Sequence, residues 1–563
     1  MKIKSVQIKN YKSIKNVTFT PSPKMNVFIG ENSVGKSNVI NAIYWLLGPV
    51  FPTFNSTMKK DHYGGKTENE ISISLDFDDG CCLALAETWI NNYNQEKCGL
   101  SLDNNYINNE ARNSYCSAYL DIRREIVDYL PSNRWSLLGR FLQDVNAKFM
   151  TESITLDSGE TELKSKRLVR ELTQLRDELL FSVNDAKGKP ILPEFLDHIR
   201  TECARQLNRN PSEFNLDMNI YDPWNFYKTL QILVTDSDVG LDFQASNMGM
   251  GIQASLSIAI IKAYSELKLA NNTPIFIDEP ELFLHPQAQR NFYNILTKLA
   301  ESGTQIFLTT HSPSFINLAK FDQIFVVKKS PEKGTYIRAA NPKNFVTDLK
   351  IRTSLDTNPS ELMERYAYAY DNTGDTQKAN EAFFAKKIIL VEGESESLIL
   401  PYFFKLLGYD YVADNVSIVR CGGKSEIDRF YRLYSEFGIP CYIIFDGDKQ
   451  HTKPSEIKED IRKNKAILSL FGCDYDYPHG YVSNGYLGFS TCLEENLDIS
   501  DVPNVKGLKL YQFVKEKIKD SESVPEWVTE IIGKIKMMPS EAQSILKKEV
   551  VDSTQRFPWD PLN

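Results

Sequence analysis

The chain holds nine cysteines in 563 residues, yet no two stand in a CxxC spacing and no ladder of pairs appears. Cys81 and Cys82 are adjacent and the rest are scattered from Cys98 to Cys492. This excludes a zinc module or a disulfide framework and leads to the expectation of free thiols in a reducing cytoplasm. No stretch approaches the roughly 18 apolar residues of a membrane-spanning helix. The first residues interleave Lys with Ile and Val, so no signal peptide is expected. A global basic field is also missing, because 65 Lys and Arg face 74 Asp and Glu and the net charge is −9. Contact with nucleic acid would need a local basic surface or a metal bridge to phosphate. Six lysines and no acid in the first 30 residues are one such surface, although a solvated strand face is the simpler reading. Internal repeats and low-complexity tracts are absent.

What is present is ordinary globular material, 42% hydrophobic and 25% charged, long enough for two or three domains. Residues 1–30 read as two strands and then a third, Met25–Ile29. A helix follows over Ser37–Leu47, stopped by Gly48-Pro49. Residues 69–90 alternate as strands do, through Ile71, Ile73, Leu75 and Phe77. Residues 91–115 are Asn-rich and read as a surface loop. The charged, helix-periodic stretch from about 162 to 210 reads as an inserted helical arm. Strand and helix grammar returns with a helix over Ile252–Lys268, a strand over Pro274–Ile277 and another over Gln305–Thr309. Residues 340–382 read as a linker. A second α/β unit starts at Lys386, and the tail after Asp501 reads as helical and Lys-rich.

The first α/β unit carries a phosphate-loop pattern, Gly30-Glu31-Asn32-Ser33-Val34-Gly35-Lys36-Ser37, between a buried strand and a helix that continues through Asn38. Gly30, Asn32, Gly35 and Asn38 belong to the expected nucleotide site. Backbone N–H groups would wrap phosphate, Lys36 would reach the β/γ oxygens, and Ser37 would ligate Mg²⁺. The apolar strand ending in Asp278-Glu279 supplies an expected metal ligand, Asp278, and an expected base for the attacking water, Glu279. His311 stands just past another apolar strand, where its place resembles that of the switch histidine of ABC-type ATPases, which implies that it faces the γ-phosphate. Ser246, Gly249 and Gly251 form a polar, Gly-rich helix start that resembles the ABC signature, which implies contact with the γ-phosphate of a partner subunit's nucleotide. Asp61 or His62 could fill the glutamine-loop position, for which no glutamine is found.

The second unit delivers acids from strand ends. Ile388–Val391 leads into Glu392-Gly393, with Glu396 one helical turn on and Glu394 facing solvent. Cys441–Phe445 leads into Asp446-Gly447-Asp448. Parallel strands ending in hard oxygen donors make a site for Mg²⁺, with Mn²⁺ or Ca²⁺ as alternatives. Glu494 is favoured over Glu495 as a further ligand. So many carboxylates repel one another unless cations neutralise them, and two metals would activate water for phosphodiester cleavage. Lys534 and Lys536 are candidates for the catalytic lysine, of which Lys536 is chosen. The turn Cys421-Gly422-Gly423-Lys424 either contacts phosphate or is a simple turn.

The Glu-Gly and Asp-x-Asp pair resembles a Toprim domain. The four ordered ATPase elements resemble an ABC-type ATPase. Their order along the chain resembles the OLD (overcoming lysogenisation defect) nucleases, with a Gabija-like group among them. The resemblance implies an α/β architecture: an N-terminal ABC-type ATPase with an inserted helical dimerisation arm and a C-terminal, Rossmann-like Toprim domain. The expected boundaries are 1–160 and 216–345 for the ATPase, 161–215 for the insert, 346–384 for the linker and 385–563 for Toprim. It also implies ATP as cofactor, DNA as substrate, a homodimer or tetramer through the ATPase domains, a possible helicase partner, and a role against phage. A Toprim topoisomerase, or a repair ATPase with a Toprim used only for binding, stand as rivals.

Overall fold

A computed structural model describes residues 2–48, 50–55, 57–112, 115, 117–121, 137–155, 159–207, 209–213, 233–236, 240–249, 251–253, 256, 259–260, 263, 274–282, 284–497 and 506–546. The chain forms two compact units, Met1–Leu120 with Asn272–Asn563, and Asp121–Asn271. Among the described residues no helix is long and apolar enough to cross a membrane, and the eight cysteines are free thiols.

In the first unit the strands begin with β1 (Ile3–Tyr11), β2 (Ile14–Phe19) and β3 (Met25–Ile29), followed by helix α1 (Lys36–Leu47). Next come β4 (Ser72–Phe77), β5 (Cys82–Ile90), β6 (Glu96–Leu102), β7 (Asn105–Tyr106), the short α2 (Asn109–Arg112) and β8 (Ala118–Asp121). The expected loop over 91–115 therefore contains strand and helix. Polar Asn and Lys side chains there face solvent from an outer hairpin, whereas Leu100 packs inward and is buried.

The second unit holds α3 (Leu137–Thr151), the hairpin β9 (Ser153–Thr155) and β10 (Thr161–Leu163), α4 (Lys164–Leu175), α5 (Ile191–Leu207), and the hairpin β11 (Leu233–Asp236) and β12 (Leu241–Gln244). Its helices are laced by surface ion pairs such as Arg167–Glu171. Most of the expected helix over Ile252–Lys268 lies outside the described residues.

The first unit resumes with β13 (Ile275–Asp278), α6 (Pro286–Glu301), β14 (Ile306–Thr309), β15 (Ile324–Ser330) and β16 (Gly334–Ala339). Among the described residues, twelve strands join in the order β7-β6-β5-β4-β1-β2-β16-β15-β3-β14-β13-β8. The segment β15-β3-β14-β13 is parallel, and its central strands β3, β14 and β13 are mostly apolar and buried along their whole length, as expected of a sheet covered on both faces. From β16 to β7 the ladder is antiparallel, and β1 alternates buried Val6 and Ile8 with outward Gln7 and Lys9.

The expected linker is three helices: α7 (Pro342–Thr353), α8 (Pro359–Asn372) and α9 (Thr376–Glu381). Each starts on a side-chain cap, Asn341, Asn358 and Asp375. The Phe345 and Tyr366 rings pack against Phe321. After them come β17 (Lys387–Val391), α10 (Glu394–Leu406), β18 (Val416–Arg420), α11 (Lys424–Glu436), β19 (Cys441–Asp446), α12 (Pro454–Leu468), β20 (Tyr486–Phe489), α13 (Leu493–Asn496), α14 (Leu508–Lys517) and α15 (Glu526–Met537). The sheet order is β18-β17-β19-β20, all parallel. The order reverses between β17 and β19, and the crevice outside the carboxyl ends of two such strands is where doubly wound sheets bind ligands.

Candidate functional site

Two sites stand at carboxyl edges of parallel strands. At the first, β3 feeds the phosphate loop. Gly30 has φ 147°, and a Cβ there would lie 2.3 Å from the Val327 carbonyl oxygen. Only glycine lets the loop lie against β15 so closely. Lys36 is buried, and its Nζ donates to the carbonyls of Gly30 (3.0 Å) and Glu31 (2.9 Å). Burial brings its pKa down to about 8, against the upward pull of Glu279, Asp278 and Glu281. Ser37 Oγ donates to Asp278 Oδ1 at 3.2 Å, and the Thr309 hydroxyl donates to the same oxygen.

The next residue, Glu279, takes a left-handed φ of 48°, and its N–H donates to both the carbonyl and the hydroxyl of Thr309 at 3.1 Å. Its Oε1 stands 3.9 Å from His311 Nε2. Burial, helped by the Lys36 charge, lowers the His311 pKa, so the imidazole is neutral at pH 7. Glu281 holds that turn, accepting from the His311 N–H (2.5 Å) and the Thr310 hydroxyl (2.8 Å). A cavity of about 340 Å³ is lined by Gly35, Lys36, Ser37, Glu279 and His311, with Asn32, Ser33, Asn38, Ser13 and Lys329 completing it. Asn38 Nδ2 donates to Ser13 Oγ at 2.8 Å. Ser13 and Lys329 belong to no motif and reach the cavity only because β2 and β15 flank the loop in space.

Asp61 and His62 do not line this cavity. His62 is buried with Nε2 3.5 Å from Glu87 Oε1 and Nδ1 3.2 Å from the Asn69 carbonyl. Gly249 and Gly251 belong to the second unit, where the Gly249 carbonyl accepts from the N–H groups of Ile252 and Gln253, as a helix start does. Ser246 lies in a short 3-10 turn, and its side chain is outside the described residues.

At the second site, Val391 of β17 pairs with Ile444 of β19, which sets Glu392 and Asp446 side by side at the switch point. Gly447 separates the two aspartates because a Cβ there would stand 2.5 Å from the Ser490 carbonyl. The turn is fixed by Gly447 N–H to the Phe489 carbonyl and Asp448 N–H to the Thr491 carbonyl, both 2.8 Å. Asp446 Oδ1 accepts from the Leu493 N–H at 3.0 Å, which ties it to the start of α13. Glu396 is buried in the first turn of α10 and accepts from the Gly393 N–H at 3.1 Å. Glu494 is half-buried and Glu495 and Glu394 are exposed.

The acids sense one another. Burial, then Glu396, Glu392 and Glu494, push Asp446 well above the ordinary carboxyl range. Burial lifts Glu392 to about 7, with Lys424 pulling down and Glu396 and Asp448 pushing up. Burial also raises Glu396, with Glu494 adding to it. Glu392 Oε2 is buried without a hydrogen-bond partner. An orphaned carboxylate oxygen among mutually repelling acids fits a divalent cation, which would supply the missing partner and the missing charge.

Lys536 is not in this group, which corrects the expectation. Its Nζ lies 5.1 Å from the centre of the Tyr409 ring, and its carbonyl accepts from Lys387 Nζ (3.1 Å), at the opposite edge of the sheet from Glu392. Lys534 bonds Asn484 at 2.8 Å. The lysine that reaches the acids is Lys424, buried, with Nζ 2.5 Å from Asp448 Oδ2 and 3.3 Å from Asn464 Oδ1. The Gly-Gly-Lys turn was its only sequence signal. Two further residues carried none: His451 Nδ1 lies 2.7 Å from Asp460 Oδ2, and ligand atoms of Asp448, His451 and Asp460 fall within 4.8 Å of one another.

The raised acids fix a pH response. A carboxyl group whose pKa is higher folded than unfolded keeps its proton longer in the folded state. Its favourable contribution is present at low pH and lost as pH rises through the folded value. Metal-free protein is therefore expected to lose stability as pH rises from about 5 through the Glu392 value of about 7, by up to about 1.4 kcal/mol per pH unit for that acid. Added divalent ion should raise the melting temperature more at pH 7.5 than at pH 5. Thermal melts in chelator check this, and Glu392→Gln should flatten the slope. A melting temperature that climbs over that window, equally in both proteins, would contradict it.

Comparison with known proteins finds matches to both α/β domains. Residues 1–83 and 58–316 match the AAA ATPase domain family, and residues 383–448 match the TOPRIM domain of overcoming lysogenization defect protein-like proteins. The OLD nuclease of Thermus scotoductus is 24% identical over 84% of this chain and 89% of its own length. The Old nuclease of Escherichia phage P2 is 24% identical over 80% of this chain and 77% of its own. Endonuclease GajA of Bacillus cereus is 21% identical over 92% of this chain and 84% of its own. The chain therefore belongs to the AAA ATPase domain family and carries an OLD-like Toprim domain, and its likeness over most of its length to OLD nucleases and to endonuclease GajA supports an ATP-dependent nuclease.

Proposed function

We propose that the chain is a cytoplasmic DNA endonuclease in which nucleotide at Gly30–Ser37 gates phosphodiester cleavage at Glu392, Asp446 and Asp448. The observation that carries the cleavage site is the unpartnered, buried Glu392 Oε2 beside Asp446 at the sheet's switch point. Glu392, Glu396, Asp446, Asp448 and Glu494 would hold Mg²⁺ or Mn²⁺. Bound there, such a metal would supply an activated water and charge stabilisation for hydrolysis, in which the water oxygen would bond to phosphorus as the bond to the leaving sugar oxygen breaks and that oxygen takes up a proton. Lys424 offsets negative charge beside Asp448. Asp460 fixes the ring of His451 next to the same carboxylate.

In the ATPase domain, Ser37 and Asp278 would hold the Mg²⁺ that accompanies ATP, Lys36 would turn from the loop carbonyls to phosphate, Glu279 would orient water, and His311 would face the γ-phosphate. Asn32 and Asn38 shape the loop, and Ser246, Gly249 and Gly251 serve the nucleotide of a partner subunit. That reading needs a homodimer or a tetramer of dimers. The inserted arm supports it, since Leu175, Leu179, Val183, Ile191 and Phe195 are exposed on α4, α5 and the segment joining them. Likeness to GajA and to the phage P2 nuclease supports a role in defence against phage, and a helicase partner is proposed from the family resemblance alone.

Plasmid incubated with the protein and Mg²⁺ or Mn²⁺ should be nicked or cut, and chelator should stop it. Absence of cleavage under every metal and nucleotide condition would refute the reading. Lys424→Ala should slow single-turnover cleavage by about 10²–10³-fold, the scale of losing one charge-stabilising group. Lys424→Arg should recover part of the rate.

A further inference from the structure

Beside the acid cluster lies a cavity of about 260 Å³ between α7, α8, α11 and α12. Seven cationic side chains and two carboxylates line it, in a chain whose net charge is −9. The carboxylates, Asp348 and Asp428, are spent on the cavity floor. Asp348 is buried between Arg352 (2.8 Å) and Arg432 (3.3 Å), and Asp428 accepts from Arg432 at 2.8 Å. These pairs clamp α7 onto α11 and leave the other cations uncompensated by anything in the lining.

Three of those are arginines on three different helices. Arg365 comes from α8, Arg429 from α11 and Arg462 from α12. Among the described residues each pairs with a glutamate on its own helix, Glu361, Glu426 and Glu459, and none of these lines the cavity. The arginine side chains are 36%, 32% and 66% exposed. The Arg365 and Arg462 pairs are open to water on both sides and weak, so those guanidiniums can exchange a carboxylate for a better planar acceptor at little cost, whereas Arg429 keeps its bond to the buried Glu426 and offers its remaining donors. Phosphate is that acceptor, because the arginine fork matches two of its oxygens. Lys424 joins the two places: it lines the cavity and its Nζ bonds Asp448 of the cleavage site. The volume falls below the roughly 300–1,000 Å³ of pockets for drug-sized ligands, which suits a phosphate and its sugar better than a whole nucleoside triphosphate.

We infer that this cavity seats a nucleic-acid phosphate adjacent to the one being cleaved, held by Arg365, Arg429 and Arg462, and so positions the strand on the acid cluster. The inference rests on the endonuclease reading above. The source of the phosphate is either an internal backbone position or a strand end. The chemistry of capture is the same for both.

The test uses the full-length protein and compares wild type with Arg462→Ala and with the triple variant Arg365→Ala, Arg429→Ala, Arg462→Ala. Binding to a labelled duplex is measured with Ca²⁺ over a salt series, and cleavage with Mg²⁺ or Mn²⁺. The triple variant should bind at least about 10-fold more weakly. It should lower the slope of log affinity against log salt by about 1 for each phosphate that the arginines no longer hold, and raise KM more than it lowers kcat. Arg462→Ala, an exposed position that cannot unfold the helix, should move the same way by a smaller factor. Loss on covalently closed circles assigns an internal phosphate. Loss confined to 5′-phosphorylated ends assigns a terminal one. Affinity, salt slope and KM unchanged in both variants, with wild type cutting normally, overturns the pocket alone. A wild type that neither binds nor cuts DNA overturns the endonuclease reading instead.

Discussion

Asp446→Ala is expected to abolish DNA cleavage, by about 10³-fold or more, while ATP binding stays at the wild-type level. Asp446 is where the acid cluster converges: its pKa is raised by burial and by all four neighbouring acids, and its second link runs through the Leu493 N–H into α13. Removing it deletes a shared ligand, and metal-supplied charge stabilisation worth several kcal/mol corresponds to a rate factor of that order. The fold should survive, because deleting a repelled, buried carboxylate relieves electrostatic cost in the metal-free state. Metal titration by calorimetry, plasmid cleavage and binding of a fluorescent ATP analogue check the three parts. Cleavage within tenfold of wild type would remove Asp446 from the site, whatever else held.

Glu279→Gln should slow ATP hydrolysis by about 10²–10⁴-fold, the usual contribution of a positioned base, yet keep the nucleotide bound. The amide retains the shape of Glu279 and leaves Ser37, Asp278 and the loop untouched. Cleavage in the presence of ATP should then stay locked at the ATP-bound level rather than relax as ATP is consumed. A physical path joins the two sites. Thr335 of β16 donates to the Val34 carbonyl of the phosphate loop (2.6 Å). Further along the same strand, Tyr336 and Arg338 bond Glu541 (3.1 and 2.9 Å). Lys328 of β15 donates to the Gly438 carbonyl (2.6 Å), just before β19 carries the chain to Asp446. A variant that cleaves like wild type at every ATP concentration would show that this path transmits nothing.

Much of this was legible in the chain itself. Phosphate loop, Asp278-Glu279, His311, Glu392 and the Asp446-Gly447-Asp448 turn all follow apolar strands, so local pattern placed them at strand ends. Both rivals, topoisomerase and binding-only Toprim, lose ground to the OLD nucleases and endonuclease GajA, which align with 80% or more of this chain. The linker and the Asn-rich loop read as plain connections because polar faces hide elements that bury only a few side chains, such as Phe345, Tyr366 and Leu100. Lys534 and Lys536 both stand in a Lys-rich tail, and no motif decides between them. The tail's helix α15 packs at the amino edge of the sheet, and no local signal tells one edge from the other.

Sequence alone determined the chemistry on offer: a loop that accepts phosphate, acids that need a cation, and their order along the chain. These depend on residue types at short spacing, where a few bonds fix geometry. Tertiary structure decided which distant groups join them. It brought Lys424 rather than Lys536 to Asp448, set Ser13 and Lys329 beside the phosphate loop, paired His451 with Asp460, and gathered three arginines from three helices around one cavity. Such meetings are set by strand order and helix packing, which act between residues tens to hundreds of positions apart and leave no spacing to read.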